Sequence, residues 1–288
     1  MIKAWFSSCR PKTLVAVFLP VLLSSVLSLD SPHFSYFIFA STLLVGLSIQ
    51  IITNFANDVY DVQKGADDEY RLGPKRGLQL GLLSETQLKQ AIQKLIIFSF
   101  VVSIFLMFRE VWLVAPLFIL SVFLAIFYTK GDHAIAYKGF GEIFVFIFFG
   151  PIVCLTTYYL QTFVVSPSVF CLGVFTGCFS TSLILINNIR DVEQDRIAGK
   201  KTVIVRFGVP KGKKLYPILL FLGLISLFWV YESIASFIIL ILGCLYSFFL
   251  TKKLYELKNK ELNYLLSHTS AFFLFYSFLW LIIFFLKI

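Results

Sequence analysis

Apolar positions in this chain run in long blocks, and polar positions gather between them. The blocks fall at about 13–29, 34–56, 92–108, 111–129, 140–160, 167–189, 214–231, 233–250 and 269–287. Each approaches the roughly 20 residues that an α-helix needs to cross the hydrocarbon core of a bilayer. The pattern predicts an all-α polytopic membrane protein, a bundle of nine transmembrane helices forming a single domain over 1–288. The first block follows Lys3, Arg10 and Lys12 and reaches about Leu29 with no A-x-A cleavage site, so it reads as a retained first span. Ser84-Glu85-Thr86-Gln87 has the form of a capping box and predicts a helix start leading into the third span.

Charge placement orients the bundle. With the N-terminus inside and every block crossing, all Lys and Arg except Arg109 and Lys287 fall on the inside, as cytoplasmic loops require. This predicts a multi-pass protein of a bacterial inner or plasma membrane, with its polar loops cytoplasmic and membrane lipids as neighbours. Only 14% of residues are charged, against roughly 25% in soluble domains. The net charge of +9 does not indicate nucleic acid, because the cations sit at the ends of apolar blocks. The five cysteines form no C-x-x-C, and His33, His133 and His268 have no metal-ligand spacing.

Two inside loops, 57–90 and 190–213, hold most of the carboxylates. If the preceding helices continue into them, Asn54, Asp58 and Asp61 share one helical face, and Asn187, Asp191 and Asp195 share another. Asn54 and Asp58 recur as Asn187 and Asp191 at one common offset, so the two ladders form a weak internal repeat, with motifs at 54–68 and 187–199. Ionisable groups at the ends of membrane helices mark function. Facing carboxylates flanked by amide oxygens suit Mg²⁺, which keeps waters and substrate phosphates in its shell. Arg71, Lys75, Arg76, Arg196, Lys200, Lys201 and Arg206 surround them, a mixture suited to a diphosphate. No Walker A sequence is present. A diphosphate beside an apolar bundle implies a substrate with an apolar tail. A secondary transporter also carries intramembrane acids and repeats, and remains open at this point.

The segments NFANDVYDVQKGADDEYRLGPKRGLQLG (54–81) and NNIRDVEQDRIAGKKTVIVRFG (187–208) resemble the UbiA superfamily of intramembrane prenyltransferases. So do RPKTL at 10–14 and YKGFGEIFVFIFFGP at 137–151. The stretch from Gly65 to Arg76 is similar to the 1,4-dihydroxy-2-naphthoate branch. Gly65 stands where the general motif has its last Asp, and Asp67 follows two residues later. The resemblance implies a bundle around a central cavity with a cytoplasmic cap. It also implies Mg²⁺-dependent transfer of a polyprenyl group from polyprenyl diphosphate to 1,4-dihydroxy-2-naphthoate. Related acceptors (4-hydroxybenzoate, homogentisate, haem) remain open.

On this reading Asp58, Asp61, Asp191 and Asp195 are catalytic and hold the metal with Asp67. Asn54, Asn57, Asn187 and Asn188 complete metal shells or orient the carboxylates. Arg71, Lys75, Arg76, Arg196, Lys201 and Arg206 contact the diphosphate as a group. Lys130 ends the fourth span, either reaching the diphosphate or anchoring at the interface. Tyr60 and Tyr128 offer aromatic faces to an allylic cation.

Overall fold

The computed structural model describes residues 1–65, 72–131 and 134–288, and the regular structure among them is entirely helical. Helix α1 (Ile2–Cys9) meets α2 (Pro11–Leu27) at a bend of 52°. Arg10 makes the bend in the left-handed conformation (φ 50°), and Pro11 starts α2, where its missing N–H costs no bond. Helix α3 (Tyr36–Gln63) is capped by Ser35, whose side chain accepts from the Ile38 N–H. It continues unbroken through Asp58 and Asp61, so the first predicted ladder lies on one helix.

Helix α4 (Glu85–Phe127) starts at the predicted capping box, with the Ser84 and Gln87 side chains bonded reciprocally to backbone N–H groups. Its helical geometry breaks at Glu110. The Phe100 and Phe118 rings lie 5.9 Å apart. On a straight helix these positions would be about 27 Å apart, so the halves fold back on each other. This break separates the two blocks predicted at 92–108 and 111–129.

Helix α5 (Gly141–Ile147) passes through a π-helical turn (Phe148–Ile152) into α6 (Val153–Thr162). Gly150 and Pro151 make the irregularity, since the proline cannot donate to the helical ladder. Helix α7 (Pro167–Arg190) follows, then the short α8 (Val192–Ile197) and α9 (Val203–Phe207). Helices α10 (Val209–Phe228), α11 (Ile234–Glu256) and α12 (Leu262–Leu286) complete the chain.

Among the described residues, six helical segments are long and apolar enough to cross a membrane, and the bent pair α1–α2 makes a seventh. The sequence pattern predicts nine. The difference has two sources. Two predicted spans lie within α4, and the predicted 214–231 span falls on α10, whose first turns carry Lys211, Lys213 and Lys214. Outward positions such as Phe108, Trp112, Phe248 and Phe275 are exposed and apolar, as a lipid-facing surface requires.

Helix α7 is the axis of the bundle. It packs against α2, α5, the π turn, α6, α10 and α12, and its apolar side chains join the main core with Phe175 and Phe179 against Phe273. Lipid tails give no hydrophobic drive between helices, so close backbone packing must hold the bundle. Gly173 and Gly177 provide it. A Cβ on Gly173 would lie 2.6 Å from Pro151 Cα, and one on Gly177 would lie 2.6 Å from the Phe146 carbonyl oxygen. Gly173→Val therefore forces α7 off the π turn. We expect a loss of about 1–3 kcal/mol, read as a lowered thermal midpoint in detergent; an unchanged midpoint would show that the contact carries little stability.

Candidate active site

The ends of α3 and α7, the α1–α2 bend and the segments around 72–77, 134–142 and 195–203 converge. Asp58 is fully buried. Its Oδ1 takes Arg10 Nη2 at 2.6 Å and Arg76 Nη1 at 2.9 Å. The bend at Arg10 is fastened to α3 by Asn54, whose Nδ2 donates to the Cys9 carbonyl (2.8 Å) and to Thr13 Oγ1 (3.1 Å). Asp61, one turn further, is also buried. Its Oδ1 meets Lys200 Nζ at 3.0 Å and accepts from the Tyr137 hydroxyl at 3.2 Å, and its Oδ2 lies 4.0 Å from Arg76. Burial, and then Asp61 beside it, push the Tyr137 phenol above its ordinary range, so it stays a donor.

The second ladder differs from its prediction. Helix α7 ends at Arg190, and Asp191 is a one-residue break before α8. Helical bonds continue across it, from Asp191 N to the Asn187 carbonyl (2.9 Å) and from Asp195 N to the Asp191 carbonyl (2.8 Å). The break accompanies a pairing of neighbours: Arg190 Nε and Nη2 reach the two Asp191 oxygens at 2.7 and 2.5 Å, and its Nη1 donates to Asn263 Oδ1 at 2.6 Å. Asp195 is buried and lies 3.8 Å from Lys200. The two ladders therefore meet across one ammonium. Burial pushes the Asp195 carboxyl up to about 7; Lys200 opposes this, and Asp191, Asp61 and Glu142 add to it.

These groups enclose a polar chamber of about 510 Å³, lined by Arg10, Asn57, Asp61, Arg76, Asn187, Asn188, Asp191, Asp195 and Lys200. An apolar chamber of about 340 Å³ adjoins it, walled by residues such as Val17, Val45, Phe118, Phe144 and Phe148. Arg10, Thr13, Asn57, Tyr128, Ile184 and Asn187 line both. Asp58 lines neither, because Arg10 and Arg76 stand in front of it.

The remaining predicted residues divide. Asn57 accepts from the Thr129 hydroxyl. Tyr128 stands at the shared wall, where a Cβ on Gly141 would come within 2.6 Å of its hydroxyl. Asn187 Nδ2 donates to the Leu183 carbonyl at 3.2 Å. Asn188 Nδ2 donates to Glu142 Oε1 at 2.8 Å. Four predicted cations line neither chamber and are exposed: Lys75, Lys201, Arg196 and Arg206. Arg196 pairs with Glu193 at 3.0 Å, and the Arg206 guanidinium donates to the Lys138 carbonyl. Exposed Lys130 lies over the Tyr60 and Phe127 rings at 5.7 and 5.5 Å, and neither Lys130 nor Tyr60 lines a chamber. Asp67 and Arg71 lie outside the described residues.

Sequence reasoning passed over Arg10 as a site residue, although it opens the RPKTL segment. It placed Lys200 near the acids without choosing it, and it missed Tyr137, Glu142 and Arg190. Glu142 is buried at the start of α5, and its Oε1 also accepts from Val203 N at 3.1 Å, tying α5, α7 and α9 together. Among the described residues no three acidic, His or Cys groups close on one point as a ready-made metal cage. The donors are still of the kind that fits Mg²⁺: carboxylate and amide oxygens lining a water-accessible chamber, with substrate phosphate to complete the shell.

The profile of the UbiA prenyltransferase family matches residues 17–282. A relative from Haemophilus influenzae, 1,4-dihydroxy-2-naphthoate octaprenyltransferase, is 36% identical over 76% of this chain and 74% of its own length. The Escherichia coli protein of the same name is 32% identical over 78% and 75%. A UbiA homologue from Archaeoglobus fulgidus, solved with DMAPP and Mg²⁺, superposes with a TM-score of 0.64 at 16% identity, covering 96% of this chain and 98% of that one.

Replacing Glu142 tests the tie between the helices. Glu142→Ala strands the Asn188 amide and the Val203 N–H. A cost of about 1–3 kcal/mol is expected, with faster proteolysis within 191–208, whereas Glu142→Gln retains a carbonyl acceptor and loses less. Equal behaviour of the two variants would refute this role.

Proposed function

The chain belongs to the UbiA prenyltransferase family, and from that premise we propose that it transfers a polyprenyl group from polyprenyl diphosphate to 1,4-dihydroxy-2-naphthoate, with loss of CO₂, in menaquinone biosynthesis. The observation that carries this reading is the pair of adjoining chambers. One is polar, with carboxylates and cations converging on it; the other is apolar and suits an isoprenoid tail.

Asp61, Asp191 and Asp195, with Asn57 and Asn187, are the residues that would hold Mg²⁺. Bound there, the ion supplies positive charge that favours departure of diphosphate. Arg10, Arg76 and Lys200 face the same chamber and bind the diphosphate oxygens. Asp58 acts from behind, holding Arg10 and Arg76 in place. The allylic C–O bond breaks with its electron pair passing to diphosphate. Tyr128, at the shared wall, presents its ring to the allylic cation. The apolar walls keep water from that cation. The ring carbon bearing the carboxylate attacks it, and the C–CO₂ bond then breaks, returning its electrons to the ring.

On this reading the chain crosses the membrane nine times, with both halves of α4 and α10 counted, as one domain built from two pseudo-repeats. The N-terminus and polar chamber face the cytoplasm. The lysines and arginines gathered on that side support this orientation.

Purified protein given Mg²⁺, labelled polyprenyl diphosphate and carboxyl-labelled acceptor should release one CO₂ per demethylmenaquinol formed, and chelation should stop both. Prenylated product that retains the carboxyl label would sink the proposed acceptor chemistry. Asp61→Asn, Asp191→Asn and Asp195→Asn are each expected to slow transfer by about 10²-fold or more. Near-normal rates in all three would remove them from the reaction.

Proton competition gives a pH signature. Asp195 holds its proton up to about pH 7, and metal binding must expel it. Apparent Mg²⁺ affinity should therefore rise by up to about tenfold per pH unit below that point and level off above it. Asp195→Asn should flatten the profile; a slope that survives the substitution assigns the proton elsewhere.

A further inference from the structure

Among the described residues, four that line the apolar chamber carry a buried polar atom with no partner (Arg10 Nε, Thr42 Oγ1, Gln50 Oε1 and Ser180 Oγ), and of these only Gln50 Oε1 is purely an acceptor. Gln50 lies on α3, two turns before Asp58, about 12 Å along the helix axis. It is 7% exposed and lines the apolar chamber. Its Nε2 donates to Thr13 Oγ1 at 3.4 Å, and its Oε1 is buried with no hydrogen-bond partner.

Thr13 decides which end of the amide is which. Its hydroxyl proton is already given to the Arg10 carbonyl at 2.9 Å, and its oxygen accepts from Asn54 Nδ2 at 3.1 Å. Towards Gln50 it offers only a lone pair, so Gln50 turns its NH₂ to Thr13, and its carbonyl oxygen is the end of the amide left without a donor in the chamber wall. A buried carbonyl oxygen left without a donor costs free energy. An isoprenoid tail has no O–H or N–H, so it cannot supply that donor. An aromatic diol can.

We infer that Gln50 Oε1 accepts a hydrogen bond from a ring hydroxyl of the aromatic acceptor, making Gln50 an acceptor-binding and specificity-determining residue. This rests on the prenyl-transfer reading above and extends it to the second substrate. The position suits the chemistry: the two turns between Gln50 and Asp58 leave room for the diphosphate end of one substrate and the ring of the other. Ser180, on α7 in the same chamber wall, also has a buried hydroxyl with no partner. A site built to bind a hydroxyl discriminates strongly against an analogue that lacks it, because its own buried polar group is then stranded.

The test compares 1,4-dihydroxy-2-naphthoate with 1-hydroxy-2-naphthoate and 4-hydroxy-2-naphthoate, at saturating polyprenyl diphosphate and Mg²⁺. The wild-type protein should lose at least about tenfold in kcat/KM with one monohydroxy compound. Gln50→Leu should raise the KM for the diol about tenfold or more, leave the KM for polyprenyl diphosphate within about twofold, and shrink the wild-type ratio of kcat/KM between the diol and that compound by about tenfold, a comparison in which the intrinsic reactivity of each ring cancels. Gln50→Met, closer in length, is the second variant, so a folding defect in one does not decide the matter. Unchanged discrimination in a folded variant overturns the inference, and so does an equal rise in both KM values. No turnover of the diol by the wild-type protein overturns the functional reading, and this inference with it. Normal wild-type turnover with unaltered variants overturns this inference alone.

Discussion

Carboxylates buried at the ends of apolar helices need cations closed upon them. An unpaired charge there would cost several kcal/mol or would take up a proton. In this bundle Asp58 is answered by Arg10 and Arg76, Asp61 by Lys200 and Arg76, and Asp191 by Arg190. Asp195 shares Lys200 at a longer distance, and burial leaves its carboxyl raised to about 7. Much local backbone serves these pairings. The left-handed Arg10 turns α1 away from α2 and brings its guanidinium to α3, while the turn after α8 returns Lys200 to the end of α3.

The same pairing divides the interior into two solvents. On the cytoplasmic side of the proposed arrangement, ions and amides line one chamber; towards the membrane, Val, Leu and Phe side chains line the next. A substrate that is ionic at one end and hydrocarbon along its length matches that division. Arg10, Thr13, Asn57, Tyr128 and Asn187 touch both sides, so the boundary between head and tail falls among them. The scissile bond of a prenyl diphosphate lies at the same boundary in the molecule.

The bundle must hold this boundary in place without hydrophobic attraction between its lipid-facing helices. Close contact along α7 meets that need: Gly173 and Gly177 admit the backbone of the π turn, and Glu142 ties α5 to the ends of α7 and α9. The site therefore hangs on the most deeply packed helix of the molecule.

The sequence by itself determined the helical class, the apolar blocks, the capping box at Ser84 and the two Asn/Asp motifs, because these are set by local pattern and hydropathy. It also carried the family likeness that names the reaction. Only the tertiary structure decided which cations reach the acids. Arg196, a residue from Asp195 in the chain, turns outward to Glu193, whereas Arg10 and Lys200 come in from a helix bend and a loop turn. Tertiary structure likewise decided that Asp58 lies behind its arginines and that Asp191 interrupts its helix. The physical reason is that an ion pair depends on where two side chains end in space. Spacing along one helix predicts that for groups on the same helix, and says nothing for groups brought together from four different segments.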